Sequence, residues 1–204
     1  MSTSSKWLLP SVISLALVSL GLLWLVINGE QNNSEKVSAP EELGGDFALR
    51  NIDGRVALSD FRGKVVVIYF GFLSCPEVCP ASMSVLKRSM EKLSPEHLTN
   101  TQALLVSIDP QRDDFQALAE FTRFYHPNIQ GITGSVDEVK AVTSQYGAFF
   151  EITESETVDS AYAYRHSSRY YIVDQSGELV QSMRHSTTPN EIAARIQKIF
   201  KQAG

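Results

Sequence analysis

From Lys64 to Phe72 the chain reads KVVVIYFGF, a continuous apolar and β-branched run of the kind found in strands buried on both faces. It predicts the centre of a sheet. Ahead of it, DFALRN and RVALSDF flank Asp53-Gly54 and predict a hairpin. Behind it, Met83, Leu86, Met90 and Leu93 share one stripe of a helix read from Pro80, and ALLVSI at 103–108 predicts a second strand. Phe115, Leu118, Thr122 and Tyr125 mark another helix, and a third runs from Val136 to about Tyr146. Phe149–Ile152 reads as a short strand, and YYIVD (170–174) with ELVQSM forms a hairpin about Gln175-Ser176-Gly177. Ile192, Ile196, Ile199 and Phe200 mark a closing amphipathic helix. Strands separated by helices predict an α/β fold, a mixed sheet with helices on both faces.

A different pattern precedes this one. Trp7–Ile27 carries no charge, long enough to cross a hydrocarbon core of about 30 Å as a helix. A cleaved signal peptide would have a shorter apolar core with a small-residue site close behind, whereas Val37-Ser38-Ala39 lies far downstream. The expected organisation is a short N-terminus and transmembrane anchor over 1–28, a polar tether over 29–45 and one folded domain over 46–204. Lys6 before the span and Glu30 after it place the N-terminus in the cytoplasm and the domain outside. The tether spans about 25 Å as a flexible chain, which keeps the domain near the membrane.

Composition alters little. With 43% hydrophobic and 20% charged residues in 204, one ordinary globular core is expected. Charge matters more: beyond Lys6 there are 17 basic and 23 acidic residues, a net charge of −6 with no basic run, so nucleic acid is not an expected partner.

Three helix starts carry capping boxes: Asp113 with Gln116, Ser135 with Glu138, and Thr188 with Glu191. The start at Pro80 does not, and placing Pro80 first puts Cys79 at the N-cap. A thiol accepts poorly there, but a thiolate or metal-bound sulfur is favoured by the helix N-terminal field. Both cysteines of the chain lie in FGFLSCPEVCPASM, residues 70–83, with three residues between them. They can be core residues or a structural disulfide, although so short a loop gains little from closure. Cysteines so spaced at a helix start can also bond reversibly or chelate one ion.

FGFLSCPEVCP after an apolar strand, SIDPQRD after the next and RHSSRYYIVDQSG further on resemble the Sco family over residues 40–202. The resemblance implies a thioredoxin-like, membrane-tethered copper protein of cytochrome c oxidase assembly. It implies copper on Cys75, Cys79 and His166. Implied partners are the copper-bearing oxidase subunit and other copper chaperones or thiol-disulfide reductants. The implied location is the inner membrane, with the domain on its periplasmic or extracytoplasmic side. The chain departs from the family's usual pattern at Leu73-Ser74, where Thr-His is common, and at Arg165, where Asp is common.

Donor chemistry agrees with this assignment. Two thiolates and an imidazole suit Cu(I), and an added oxygen ligand admits Cu(II), whereas structural zinc wants four protein ligands. Asp109, ending a buried strand before Pro110, either caps a turn or assists exchange at the cysteines as an auxiliary group. His185 is a reserve ligand, while His97 is read as a loop residue and His126 as a partly positive helix-end residue. Met83 and Met90 are read as core, and Tyr162 and Tyr164 as shaping the mouth of the site or a docking face. The leading function is a tethered metallochaperone. The alternative is a thiol-disulfide reductase acting through the redox-active pair Cys75 and Cys79. A peroxiredoxin-like peroxidase is disfavoured by Phe72, which stands where that family has threonine.

Overall fold

The computed structural model of the chain describes residues 43–153, 163–166 and 168–202. The expected membrane span, nearly all of the tether, and Tyr162 lie outside these residues. Among the described residues no helix is long and apolar enough to cross a membrane.

In chain order the elements are β1 (Ala48–Asn51), β2 (Gly54–Ala57), a 3-10 turn (Leu58–Phe61), β3 (Val65–Gly71), α1 (Val78–Met90) and α2 (Pro95–Thr99). Then come β4 (Thr101–Ser107), α3 (Phe115–Tyr125), β5 (Ile129–Ile132) and α4 (Val136–Gln145). β6 (Phe150–Thr153), β7 (Ala163–His166), β8 (Arg169–Val173), β9 (Leu179–Arg184) and α5 (Pro189–Gln202) complete the described chain.

The KVVVIYFGF run is the central strand. Every residue of β3 is buried, and the main sheet runs β5-β4-β3-β8-β9. β3, β4 and β5 are parallel, and β8 and β9 add antiparallel, so the sheet is mixed as the order of elements predicted. The hairpins β1-β2 and β6-β7 stand outside it.

Alternation along β3 divides the core. Tyr69 faces α1 beside Tyr170, with ring centroids 5.3 Å apart, and the Ser82 hydroxyl donates to the Tyr69 hydroxyl at 3.1 Å. The Tyr170 hydroxyl donates to the Ser82 carbonyl at 3.2 Å. On the other face Phe70 meets Tyr171 and Tyr146, and Tyr146 meets Phe47 edge-on at 5.8 Å. Such ring pairs add about 1 kcal/mol beyond the area they bury. α3 lies so close on β5 that a Cβ at Gly131 would stand 2.8 Å from the Leu118 carbonyl oxygen.

Four readings need correction. α1 begins at Val78 rather than Pro80. The N-cap of α3 is Asp114, whose side chain accepts from the Ala117 N–H, so Asp113 is free for another role and Gln116 bonds Glu120 instead. His97 is half-buried on α2, a helix not expected, and stacks on Phe200 at 4.5 Å. β5 and β7 were also not expected. The boxes at Ser135/Glu138 and Thr188/Glu191 form as read.

Register fixes what meets at the carboxyl end of β3. Tyr69 pairs with Tyr170 in antiparallel β8, and Gly71 with Ser107 in parallel β4. The end of β3, the end of β4 and the beginning of β8 therefore share one rim of the sheet.

Candidate metal centre

The chain leaves β3 at Gly71 and turns at once, the Cys75 N–H donating to the Phe72 carbonyl at 3.4 Å. Both cysteines are free thiols, Cys75 7% exposed and Cys79 0%. The N-cap of α1 is Glu77, which makes no side-chain capping bond. Instead the Cys75 sulfur accepts from the Cys79 N–H at 3.3 Å. The sulfur at the mouth of the helix, where its N-terminal field favours negative charge, is thus Cys75, and Cys79 lies inside the first turn. This reverses the placement read from Pro80.

Burial pushes the Cys79 thiol well above its ordinary range, and the adjoining Cys75 pushes it further, although the Phe72 N–H and the Tyr69 hydroxyl favour the thiolate. Cys79 is therefore a protonated, sheltered thiol at neutral pH. Its place depends on Gly71, because a Cβ there would sit 2.9 Å from Cys79 Sγ, 3.1 Å from Tyr69 Cε1 and 3.2 Å from Leu105 Cδ1. Behind the sulfur, burial raises Tyr170 to about 12 and Tyr69 higher still, so both hydroxyls stay protonated as donors. Burial raises the pKa of Tyr125 at the end of α3, and a thiolate at Cys79 would raise it further.

The turn ahead of Cys75 is anchored from a distance. The Asp113 carboxylate, 2% exposed, accepts the Leu73 N–H at 3.0 Å and the Ser107 hydroxyl at 2.6 Å. Burial raises its pKa against those two bonds. Asp109 lies on the same rim, where its carboxylate pairs with Arg112 and its carbonyl accepts the Arg112 and Asp113 N–H groups. The turn-forming role read for it is present, and the partner of its carboxylate is a guanidinium rather than a sulfur.

His166 ends β7 opposite Phe150, three residues before Arg169 opens β8. Three residues reach about 10 Å at most, so its backbone lies near the rim from which the cysteine turn departs. Its side chain lies outside the described residues, as does that of Tyr164. Among the described residues no three His, Cys, Asp or Glu side chains are grouped so as to hold a metal ion. His185 is exposed at the same rim, its N–H bonded to the Ser168 carbonyl at 3.0 Å. His126 departs from its reading: burial lowers its pKa, and its Nδ1 accepts the Asn128 N–H at 3.0 Å, so the ring is neutral. Met83 and Met90 are core, at 0% and 1% exposure.

Gly71, Tyr69, Ser82 and Asp113 were missed by sequence reasoning. A glycine inside an apolar strand signals close approach, and a tyrosine there signals a needed hydroxyl partner, so two of the four left a trace.

The SCO1/SenC family profile matches residues 35–201. The SCO2-like protein of Rickettsia felis is 32% identical over 188 residues, covering 89% of this chain and 91% of its own length. The crystal structure of Arabidopsis thaliana ScoI with copper bound is 30% identical, with a TM-score of 0.72 over 78% of this chain and 99% of that one. BsSco, a member of the Sco family of cytochrome c oxidase assembly proteins whose structure revealed a disulfide switch, has a TM-score of 0.61 over 82% of this chain and 99% of its own. At 22% identity it shows the shared fold. The sheet order, the paired thiols at the rim and these matches agree on a thioredoxin-like α/β domain, and the chain belongs to the SCO1/SenC family.

Proposed function

We propose that this protein is a membrane-anchored metallochaperone that carries copper to the copper centre of cytochrome c oxidase. One observation carries the reading: the Cys75 sulfur takes the place of a helix cap, 3.3 Å from the Cys79 N–H, and both thiols are free. Two sulfurs on one helix start hold a soft ion while leaving positions open for an incoming ligand. His166 is the third donor in this reading, and Asp109, once released from Arg112, an auxiliary oxygen. Copper bound to the Arabidopsis relative supports the choice of metal. The apolar stretch Trp7–Ile27 is the anchor in the inner membrane, with the domain on the outer, periplasmic or extracytoplasmic, side.

The asymmetry of the thiols supports a second reading. Cys75 at the helix mouth attacks a partner disulfide and forms a mixed disulfide, displacing one partner thiol. Cys79 then attacks the Cys75 sulfur and releases the second. The partner gains two electrons and the pair closes as a disulfide. Copper titration of the reduced chain separates the two readings. Tight 1:1 binding with sulfur-to-copper charge-transfer bands, lost in His166→Ala, supports carriage. Weak binding with fast disulfide exchange indifferent to that substitution supports reduction.

A further inference from the structure

Arg169 on β8 and Arg184 on β9 are directly opposed in the antiparallel register, so both side chains leave the same face of the sheet. Like charges so placed are destabilising unless something offsets them. Among the described residues the ion pairs are Arg62 with Asp46 and Arg112 with Asp109, and neither of the opposed arginines meets a carboxylate. β9 is the last strand of the sheet, and a cation there can serve to blunt an open edge. That explains Arg184, which is exposed, but not Arg169 on the strand inside it. The Arg169 guanidinium is moreover held in place: Nε donates to the Ser182 hydroxyl at 2.5 Å and an Nη to the Ser182 carbonyl at 3.2 Å. Among the described residues Ser182 takes two of the five N–H donors of Arg169, and the other three are left for a ligand.

We infer that Arg169 and Arg184 form a docking clamp for a carboxylate side chain of an acidic partner protein. The clamp stands at the rim where β3 ends and β8 opens, on the face of the sheet away from α1, because Arg169 alternates with Tyr170. Beyond Lys6 the chain carries a net charge of −6, so an acidic partner is repelled by the surface as a whole and admitted where these guanidiniums lie. The inference rests on the proposed function only in its purpose, which is to hold the partner at the rim from which the cysteine turn departs. A planar fork held by Ser182 matches a carboxylate, while an anionic lipid surface is met by clusters of about four to eight cations.

The test is a titration of the full 15N-labelled chain with a hexaglutamate peptide, following the arginine Nε–H signals. Arg169 and Arg184 shift, and Arg169→Gln/Arg184→Gln weakens binding about tenfold. Arg55→Gln/Arg123→Gln, which removes the same charge from other exposed sites, changes it less than about twofold. If the double variant fails to fold, exposed Arg184→Gln alone gives about threefold. Equal weakening by the control pair, or shifts that map elsewhere, overturns the clamp. So does unchanged peptide binding with lost adhesion to phosphatidylglycerol vesicles, which assigns the arginines to a membrane. A parallel copper titration separates the readings, since a wild-type chain that takes the peptide at the clamp but not copper loses the proposed function and keeps the clamp.

Discussion

At the start of α4 the Ser135 hydroxyl accepts the Glu138 N–H at 3.3 Å, and the Glu138 carboxylate accepts the Ser135 N–H at 2.7 Å. At the start of α1 Glu77 caps nothing, and a sulfur 3.3 Å from the Cys79 N–H stands where an oxygen would be. A thiol is a weak acceptor, so α1 gives up about 1 kcal/mol of capping that α4 keeps. The two starts differ in their surroundings as well. The α4 box is formed by neighbours in sequence, whereas the α1 start is built by Gly71 beneath Cys79 and by Asp113, whose bond to Leu73 spans 40 residues. Local capping stabilises a helix by itself, while the thiol site is held by tertiary contacts that keep two buried thiols side by side without a disulfide.

That contrast breaks most severely at Gly71. Gly71→Val drives side-chain carbon into Cys79 Sγ and Leu105, and by overpacking costs about 3 kcal/mol or more. Denaturant unfolding shows the loss, and copper uptake by whatever remains folded falls with it. Next is Asp113→Ala, which strips the acceptor from the Leu73 N–H and the buried Ser107 hydroxyl and costs about 2 to 3 kcal/mol. Asp113→Asn retains an acceptor and separates charge from geometry. Because burial raises the folded-state pKa of Asp113, its contribution is full below the unfolded value and fades as pH rises through the folded one. Stability measured upward from about pH 4 is flatter in the asparagine variant.

Ser135→Ala costs about 1 kcal/mol and leaves copper stoichiometry unchanged, the expected signature of a start that carries structure alone. The smallest effect is at His126. Burial depresses its folded-state pKa, so its contribution is present above about pH 6.5 and is lost as pH falls through the folded value. A modest drop in melting temperature between about pH 7 and pH 5, absent in His126→Gln, reports it.

The same contrast governs what could be read from sequence. The α4 and α5 boxes were legible because each is written within four residues, and β3 because its apolar run is unbroken. The stripe of Met83, Leu86 and Met90 was legible for the same reason, and all three are buried. The start of α1 was misread because proline is tolerated throughout a first turn, where no N–H has an intrahelical partner. Asp113 and Asp114 are adjacent, and either can cap α3. The choice between them is made by Leu73 and Ser107, which no local window contains. β5 has four residues with Gly131 inside and is a strand because β4 pairs with it. That the two cysteines lie together was legible, but which sulfur faces the helix mouth was not, since that follows from two residues of helix register.

X-ray absorption at the copper edge of the metal-loaded full chain, compared with its His166→Ala variant, tests the central claim most directly. The account predicts two sulfur neighbours and one imidazole nitrogen in the wild type, with the sulfurs retained and the nitrogen lost in the variant. Copper without sulfur neighbours, or a first shell the same in both, would contradict it.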